Sequence, residues 1–308
     1  MKKFIGSVLA TTLILGGCST MENESKKDTK TETKSVPEEM EASKYVGQGF
    51  QPPAEKDAIE FAKKHKDKIA KRGEQFFMDN FGLKVKATNV VGSGKGVEVF
   101  VHCDDHDIVF NASIPFDKSI IDSDSSLRSE DKGDDMSTLV GTVLSGFEYR
   151  AQKEKYDKLY KFLKDNEEKY QYTGFTKEAI NKTQNSGYEN EYFYISTIPY
   201  NLTEYRNYFE PLLNKSNSEF SKEMSNVKKQ LKDKSKVSVT TTLFSKNKNY
   251  TKKSNSENVI KMAEEIKKEK DLPTDIDFSI QFSDNKINTI KPNYSSKDNS
   301  EYGVFDNE

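Results

Sequence analysis

Hydrophobic positions along the chain switch between two spacings, and each switch marks an element. After Pro52-Pro53, Ile59, Ala62, Ile69 and Phe76 fall on one helical stripe, with Phe61 and Phe77 beside it. The stripe stops between Asn80 and Gly82, and the spacing becomes two. Leu83, Val85, Ala87 and Val91 alternate with polar residues up to a turn at Gly92-Ser93-Gly94-Lys95-Gly96. Val97, Val99, Val101 and Cys103 alternate again, and a second turn at Asp104-Asp105-His106 leads to Ile108, Phe110, Ala112, Ile114 and Phe116. A helix followed by a three-strand meander predicts an antiparallel sheet covered on one face.

Residues 117–135 are acidic and serine-rich, the composition of a mobile loop. From Ser137 to Tyr170 a long helix is expected, with Leu139, Val140, Val143, Leu144, Phe147, Ala151, Leu159 and Phe162 on its stripe. A strand follows over 192–197, then helices over 203–213 and 217–232. Val237, Val239, Thr241 and Leu243 predict another strand. Ser254-Asn255-Ser256-Glu257 has the form of a capping box ahead of Val259, Met262, Ala263 and Ile266. Ile276, Phe278, Ile280 and Phe282 alternate strictly, and Asp284-Asn285 turns the chain toward Ile287 and Ile290. The expected fold is α+β, with helices packed on antiparallel sheet over residues 51–292. Two subdomains dividing near 175–190 and a disordered tail over 293–308 complete that expectation.

The amino terminus carries a different signal. Met1-Lys2-Lys3 is a short positive segment, and Phe4 to Leu15 is an uncharged run. That run is too short to span a bilayer, which takes roughly 20 apolar residues, and has the size of a signal-peptide core. Leu15-Gly16-Gly17-Cys18 follows and resembles the lipobox of bacterial lipoproteins. The resemblance implies a signal peptide over 1–17, cleavage before Cys18, and a diacylglyceryl group on its thiol. The amino group of Cys18 is a further acylation site in such proteins. Residues 18–50 then read as a lipidated cysteine and a flexible tether, polar and rich in Lys, Glu and Thr.

Composition narrows the picture. The chain has 308 residues, 48 basic and 50 acidic, for a formal charge of −2, so no concentrated basic face points to nucleic acid. Hydrophobic content is 33% and charged content 32%, which predicts a modest core with long solvated surfaces. There are 2 cysteines. With Cys18 lipidated, Cys103 has no partner for an intramolecular disulfide, and stability must come from packing.

Candidate chemistry is sparse. Gly92-Ser93-Gly94-Lys95-Gly96 lacks the Ser or Thr of a phosphate loop after its lysine and opens a strand, so its glycines serve a hairpin. His102, Cys103 and His106 are the densest group of metal-ligand types, but alternation turns Cys103 toward Val97, Val99 and Val101 and His102 the other way. Asp122, Asp124, Ser126 and Glu130 imitate a calcium loop, yet Leu127 and Gly133 occupy its diagnostic places. His65 sits between Phe61 and Ile69 at helical spacing and reads as a boundary histidine rather than a base, and the tyrosines from Tyr188 to Tyr208, which could line a ligand groove, have core spacings. No cofactor motif and no serine-hydrolase elbow occurs.

With its lipobox, its Lys/Glu/Thr-rich tether and its aromatic, lysine-rich body, the whole chain resembles a staphylococcal lipoprotein family of unknown function. The resemblance implies a membrane-attached, extracytoplasmic surface protein and carries no activity or ligand with it. The expected role is non-catalytic contact with an envelope component or protein partner. The alternative is a lipoprotein that binds a small ligand or a metal.

Overall fold

The computed structural model describes residues 36–130, 136–231, 237–247, 252–292 and 300–305. Its strands and helices run β1 (Glu39–Glu41), α1 (Lys56–Lys64), α2 (Lys66–Phe81), β2 (Val85–Ser93), β3 (Gly96–Asp105), β4 (Ile108–Phe116), α3 (Ser137–Ala151), α4 (Lys153–Asp165) and α5 (Glu167–Tyr170). They continue with β5 (Tyr172–Thr173), α6 (Lys177–Thr183), β6 (Phe193–Ser196), α7 (Leu202–Glu204), α8 (Asn217–Gln230), β7 (Val237–Thr241) and β8 (Leu243–Ser245). The last elements are α9 (Lys252–Ile266), β9 (Ile276–Ser283), β10 (Lys286–Asn288) and β11 (Ser300–Phe305). The fold is α+β, as expected.

The meander β2-β3-β4 is antiparallel throughout. Its inner face buries Val97, Val99, Val101, Cys103, Ile108, Phe110, Ala112 and Ile114 against Ile69, Phe76 and Phe77 of α2 and Val140, Val143 and Phe147 of α3. Burying one such phenylalanine contributes about 1.5–3 kcal/mol. The register of β2 slips between Ala87 and Asn89. This bulge reverses the parity of the strand, so Val90 rather than Val91 joins the core.

Two predicted helices are segmented. His65, at φ −113° and ψ 20°, separates α1 from α2, and Gln152, at φ −126° and ψ 31°, separates α3 from α4. Gly82, at φ 65°, closes α2 in the left-handed conformation that glycine adopts without cost. Helix α9 starts at Lys252, which leaves Ser254 inside the helix rather than at its cap.

The second sheet is mixed rather than antiparallel. Strands β7 and β8 both run parallel to β9. A parallel neighbour requires a long crossover, and α9 supplies it. Phe193, Ile195, Val239, Leu243, Phe278, Ile280 and Phe282 bury one face of this sheet with Tyr156, Leu159 and Leu163 of α4 and Val259, Met262 and Ile266 of α9. No cut near 175–190 divides the two cores, because Leu202, Phe209, Phe220 and Met224 return the chain to the first.

Both chain ends depart from expectation. The tether expected over 18–50 ends earlier: β1 pairs with β10 through Glu39–Asn288, Met40–Ile287 and Glu41–Lys286. Ala42 and Tyr45 are buried with Phe175, Ala179, Ile180, Phe244 and Ile287 in a third, small core. The tail expected to be disordered includes β11, antiparallel to β9. The loop expected over 117–135 is held along α2 as far as Ser129. Arg72 donates to Ser125 O at 2.9 Å, Leu127 N donates to Asp79 Oδ2 at 2.7 Å, and Ser129 N donates to Asn80 Oδ1 at 2.7 Å. In each case backbone or side-chain polar groups of a weakly apolar segment find partners that are remote in sequence.

Candidate functional site

The structure separates the sequence-predicted metal candidates. Cys103 is buried on the inner face of β3, and its Sγ lies 3.6 Å from Lys84 O, to which it donates. Burial pushes its thiol up to about 12. His102 faces the other side, with Nδ1 3.1 Å from Asn111 Oδ1. His106 sits in the β3-β4 turn at φ 55°, with Nε2 3.8 Å from Asp105 Oδ1. Among the described residues no group of three or more His, Cys, Asp and Glu converges on a metal position. Gly94, at φ 54°, makes the hairpin turn between β2 and β3. Ser126 of the calcium-loop imitation donates to Asp79 Oδ2 at 3.0 Å. Tyr188, Tyr192 and Tyr205 are buried core residues. Leu15, Gly16, Gly17 and Cys18 lie outside the described residues.

A different group of residues draws attention. Thr240 pairs with Ser279, and three residues further on Leu243 pairs with Phe282, so Thr242 stands beside Gln281 and Phe244 beside Ser283. Alternation puts Val239 and Leu243 in the second core and Thr240, Thr242 and Phe244 on the opposite face, joined there by Ser279, Gln281 and Ser283. One end of this polar face is covered: Thr240, Thr242, Phe244 and Ser283 are buried, while Ser238 and Asp277 are exposed. Phe244 packs edge-on to Phe175, ring centroids 5.0 Å apart, inside the small core that β1, β10 and α6 help to build. Thr242 is 3% and Ser283 1% exposed.

Ser279 Oγ donates to Thr240 Oγ1 at 3.1 Å. Its neighbours are not satisfied. Thr242 Oγ1, Gln281 Oε1 and Ser283 Oγ are buried with no hydrogen-bond partner. Leaving such a group unpaired costs about 1–3 kcal/mol, and three neighbours in that state indicate a missing partner.

Glu189 lies on the same face. Gly187 exchanges backbone hydrogen bonds with Asn111 at 2.7 and 3.0 Å and has φ 115°. Tyr188 then turns into the second core and stacks on Tyr149, with centroids 4.1 Å apart. The next residue must face the other way. Glu189 bridges to Tyr194, and Tyr194 pairs with Thr240, which sets all three in one row. Its side chain is 8% exposed and has no hydrogen-bonding or ionic partner among the described residues. Burial alone pushes its carboxyl up to about 8.

In the sequence the alternation of Thr240, Thr242, Ser279, Gln281 and Ser283 reads as an ordinary solvent face. Nothing local shows that Phe244, next to Thr242 on this face and paired with Ser283, enters a small core with residues of α6 and β10. Chemically the face offers oxygen atoms, mostly neutral, to a ligand and no nucleophile paired with a base. No helix among the described residues is long and apolar enough to cross a membrane.

Residues 32–308 match a family described as protein of unknown function, DUF1672. The chain is similar to the crystal structure, at 1.80 Å resolution, of a DUF1672 family protein (SAV1486) from Staphylococcus aureus subsp. aureus Mu50. The two are 70% identical, with 89% of this chain and 100% of that one covered and a TM-score of 0.87. No curated protein matches.

Proposed function

Because the chain belongs to the DUF1672 family, whose function is unknown, its role rests on its own residues, and we propose that it is a lipoprotein anchored through Cys18 at the outer face of the cell membrane. There its folded body contacts an envelope component or a protein partner without catalysing a reaction. The order of Lys2-Lys3, the uncharged run Phe4 to Leu15, and Leu15-Gly16-Gly17-Cys18 carries this reading. Two or three acyl chains, at about 0.8 kcal/mol per buried CH₂, hold firmly where one is marginal. Strand β1 begins at Glu39, 39 − 18 = 21 residues beyond Cys18. That length limits the reach from the anchor to roughly 70 Å. The buried thiol of Cys103 donates to a backbone carbonyl rather than to a base, which supports a role in packing.

Metabolic labelling with a fatty acid tests the anchor. Label is expected on the wild type and absent from Cys18→Ala. Equal label on both would refute it.

The unpaired polar face favours a second reading, in which the body of the lipoprotein binds a small ligand. Native mass spectrometry of the protein taken from its own envelope is expected to show a retained mass. A bare polypeptide mass would count against it.

A further inference from the structure

Resting on the ligand-binding reading, we propose that the covered end of the second sheet's polar face binds one compact cation, a metal ion or the ammonium group of a small amine, through the side-chain oxygens of Thr242, Gln281 and Ser283. The register carries the geometry. Thr242 and Gln281 stand side by side on adjacent strands, about 4.8 Å apart, and Ser283 is two residues along from Gln281, about 6.8 Å away on the same face. The three side-chain oxygens on these neighbouring positions are buried and lack partners in the structure.

The sign of the ligand follows from the atoms. Gln281 Oε1 can only accept, so its partner must be a hydrogen-bond donor or a metal ion. The two hydroxyls can accept as well. Sheet register assigns Ser196, Ser238, Asp277, Glu189, Tyr194, Thr240, Ser279 and Glu301 to the same face, and none of them is basic. Three of these, Glu189, Asp277 and Glu301, are acidic. An anion would find no basic residue on this face of the sheet, whereas a cation would be held by the oxygens. Glu189 stands two strands from Thr240, about 10 Å at strand spacing, too far to be a direct ligand, and with its carboxyl pushed up to about 8 it supplies a counter-charge only above that pH. Hard, mostly neutral oxygens suit sodium, potassium, calcium or an ammonium group and not a thiophilic metal.

The test uses the full-length chain purified in detergent and stripped of small ions by dialysis against tetramethylammonium chloride. Sodium, potassium, calcium and methylammonium chlorides are titrated separately by calorimetry and by thermal melting at constant ionic strength. One of these four is expected to bind with one-to-one stoichiometry and to raise the melting temperature. Thr242→Val and Ser283→Ala keep side-chain size close to wild type and should each weaken that binding tenfold or more. Above pH about 8, where Glu189 is ionised, Glu189→Gln should weaken it by a smaller factor while leaving stoichiometry unchanged. Should a variant fail to fold, the direct competition between the four ions on the wild type still decides. Saturation by a metal but not by methylammonium identifies a metal site, and the reverse identifies an amine site. No binding of any of the four at 10 mM ~ a generous ceiling for a built site ~ or binding that survives Thr242→Val and Ser283→Ala unchanged, overturns the proposal. If native mass spectrometry meanwhile finds a neutral organic ligand, the ligand-binding reading survives and only the cation falls.

Discussion

Replacing Tyr45 by alanine is expected to destabilise the protein, although the residue sits in a stretch whose composition reads as tether. Tyr45 is fully buried, and its ring belongs to the small core of Ala42, Phe175, Ala179, Ile180, Phe244 and Ile287. Its hydroxyl donates to Thr289 O at 3.3 Å. Truncating a buried aromatic ring to alanine costs about 3–5 kcal/mol. Loss of the hydroxyl alone, from a bond at the long end of the range, costs about 0.5–1 kcal/mol. For a body of this size each kcal/mol shifts the melting temperature by roughly 2–4 °C. Tyr45→Ala should therefore melt about 6–20 °C lower and Tyr45→Phe about 1–4 °C lower. Scanning calorimetry is the assay, since the chain has no tryptophan to report by fluorescence. A chain beginning at Val46 should lose at least as much as Tyr45→Ala, because β1, Ala42 and the Thr289 contacts to Pro37 and Glu38 go with it. If that shortened chain melted within about 1 °C of the full one, well below the roughly 6 °C that is the least expected of Tyr45→Ala, the amino-terminal segment would be a tether after all.

Three more outcomes are expected. Cys103, with its thiol pushed up to about 12, is about one part in ten thousand thiolate at pH 8, so thiol reagents should label it only as the protein unfolds, and complete labelling within mixing time would contradict its burial. Glu189 has a folded pKa of about 8 against 4.5 unfolded, so the folded state keeps a proton that the unfolded state releases, and stability falls as pH rises from about 4.5 to 8 and is flat above. The full difference is on the order of 5 kcal/mol. Glu189→Gln should remove that slope and be more stable than wild type at pH 8, and an unchanged slope in urea titrations would show that another group sets it. Gly174→Ala should fail to fold or lose more than about 3 kcal/mol, because its Cβ would stand 1.7 Å from Glu191 O, which accepts from Phe175 N at 2.8 Å. A calorimetric trace like that of wild type would disprove that close approach.

Periodicity was enough to locate α1 and α2, the meander β2-β3-β4 and strand β9, because each buries one face and polar residues mark the other. It also aimed Cys103 inward with Val97, Val99 and Val101, as the structure places it. The family was legible too, from the general character of the chain. What periodicity could not reach were contacts made across long separations. The pairing of β1 with β10 joins residues 39–41 to 286–288, and only that pairing turns a polar, tether-like stretch into structure. Parallel pairing of β7 and β8 with β9 depends on α9 packing back over the sheet, which two alternating strands do not announce. The same limit hid the candidate site. Thr242, Gln281, Ser283 and Glu189 have the spacing of residues facing water, and a side chain carries no local mark of what another part of the chain lays over it. Burial is a property of the assembled layers, so the oxygens of Thr242, Gln281 and Ser283 became unpaired only where the fold buried that end of the polar face.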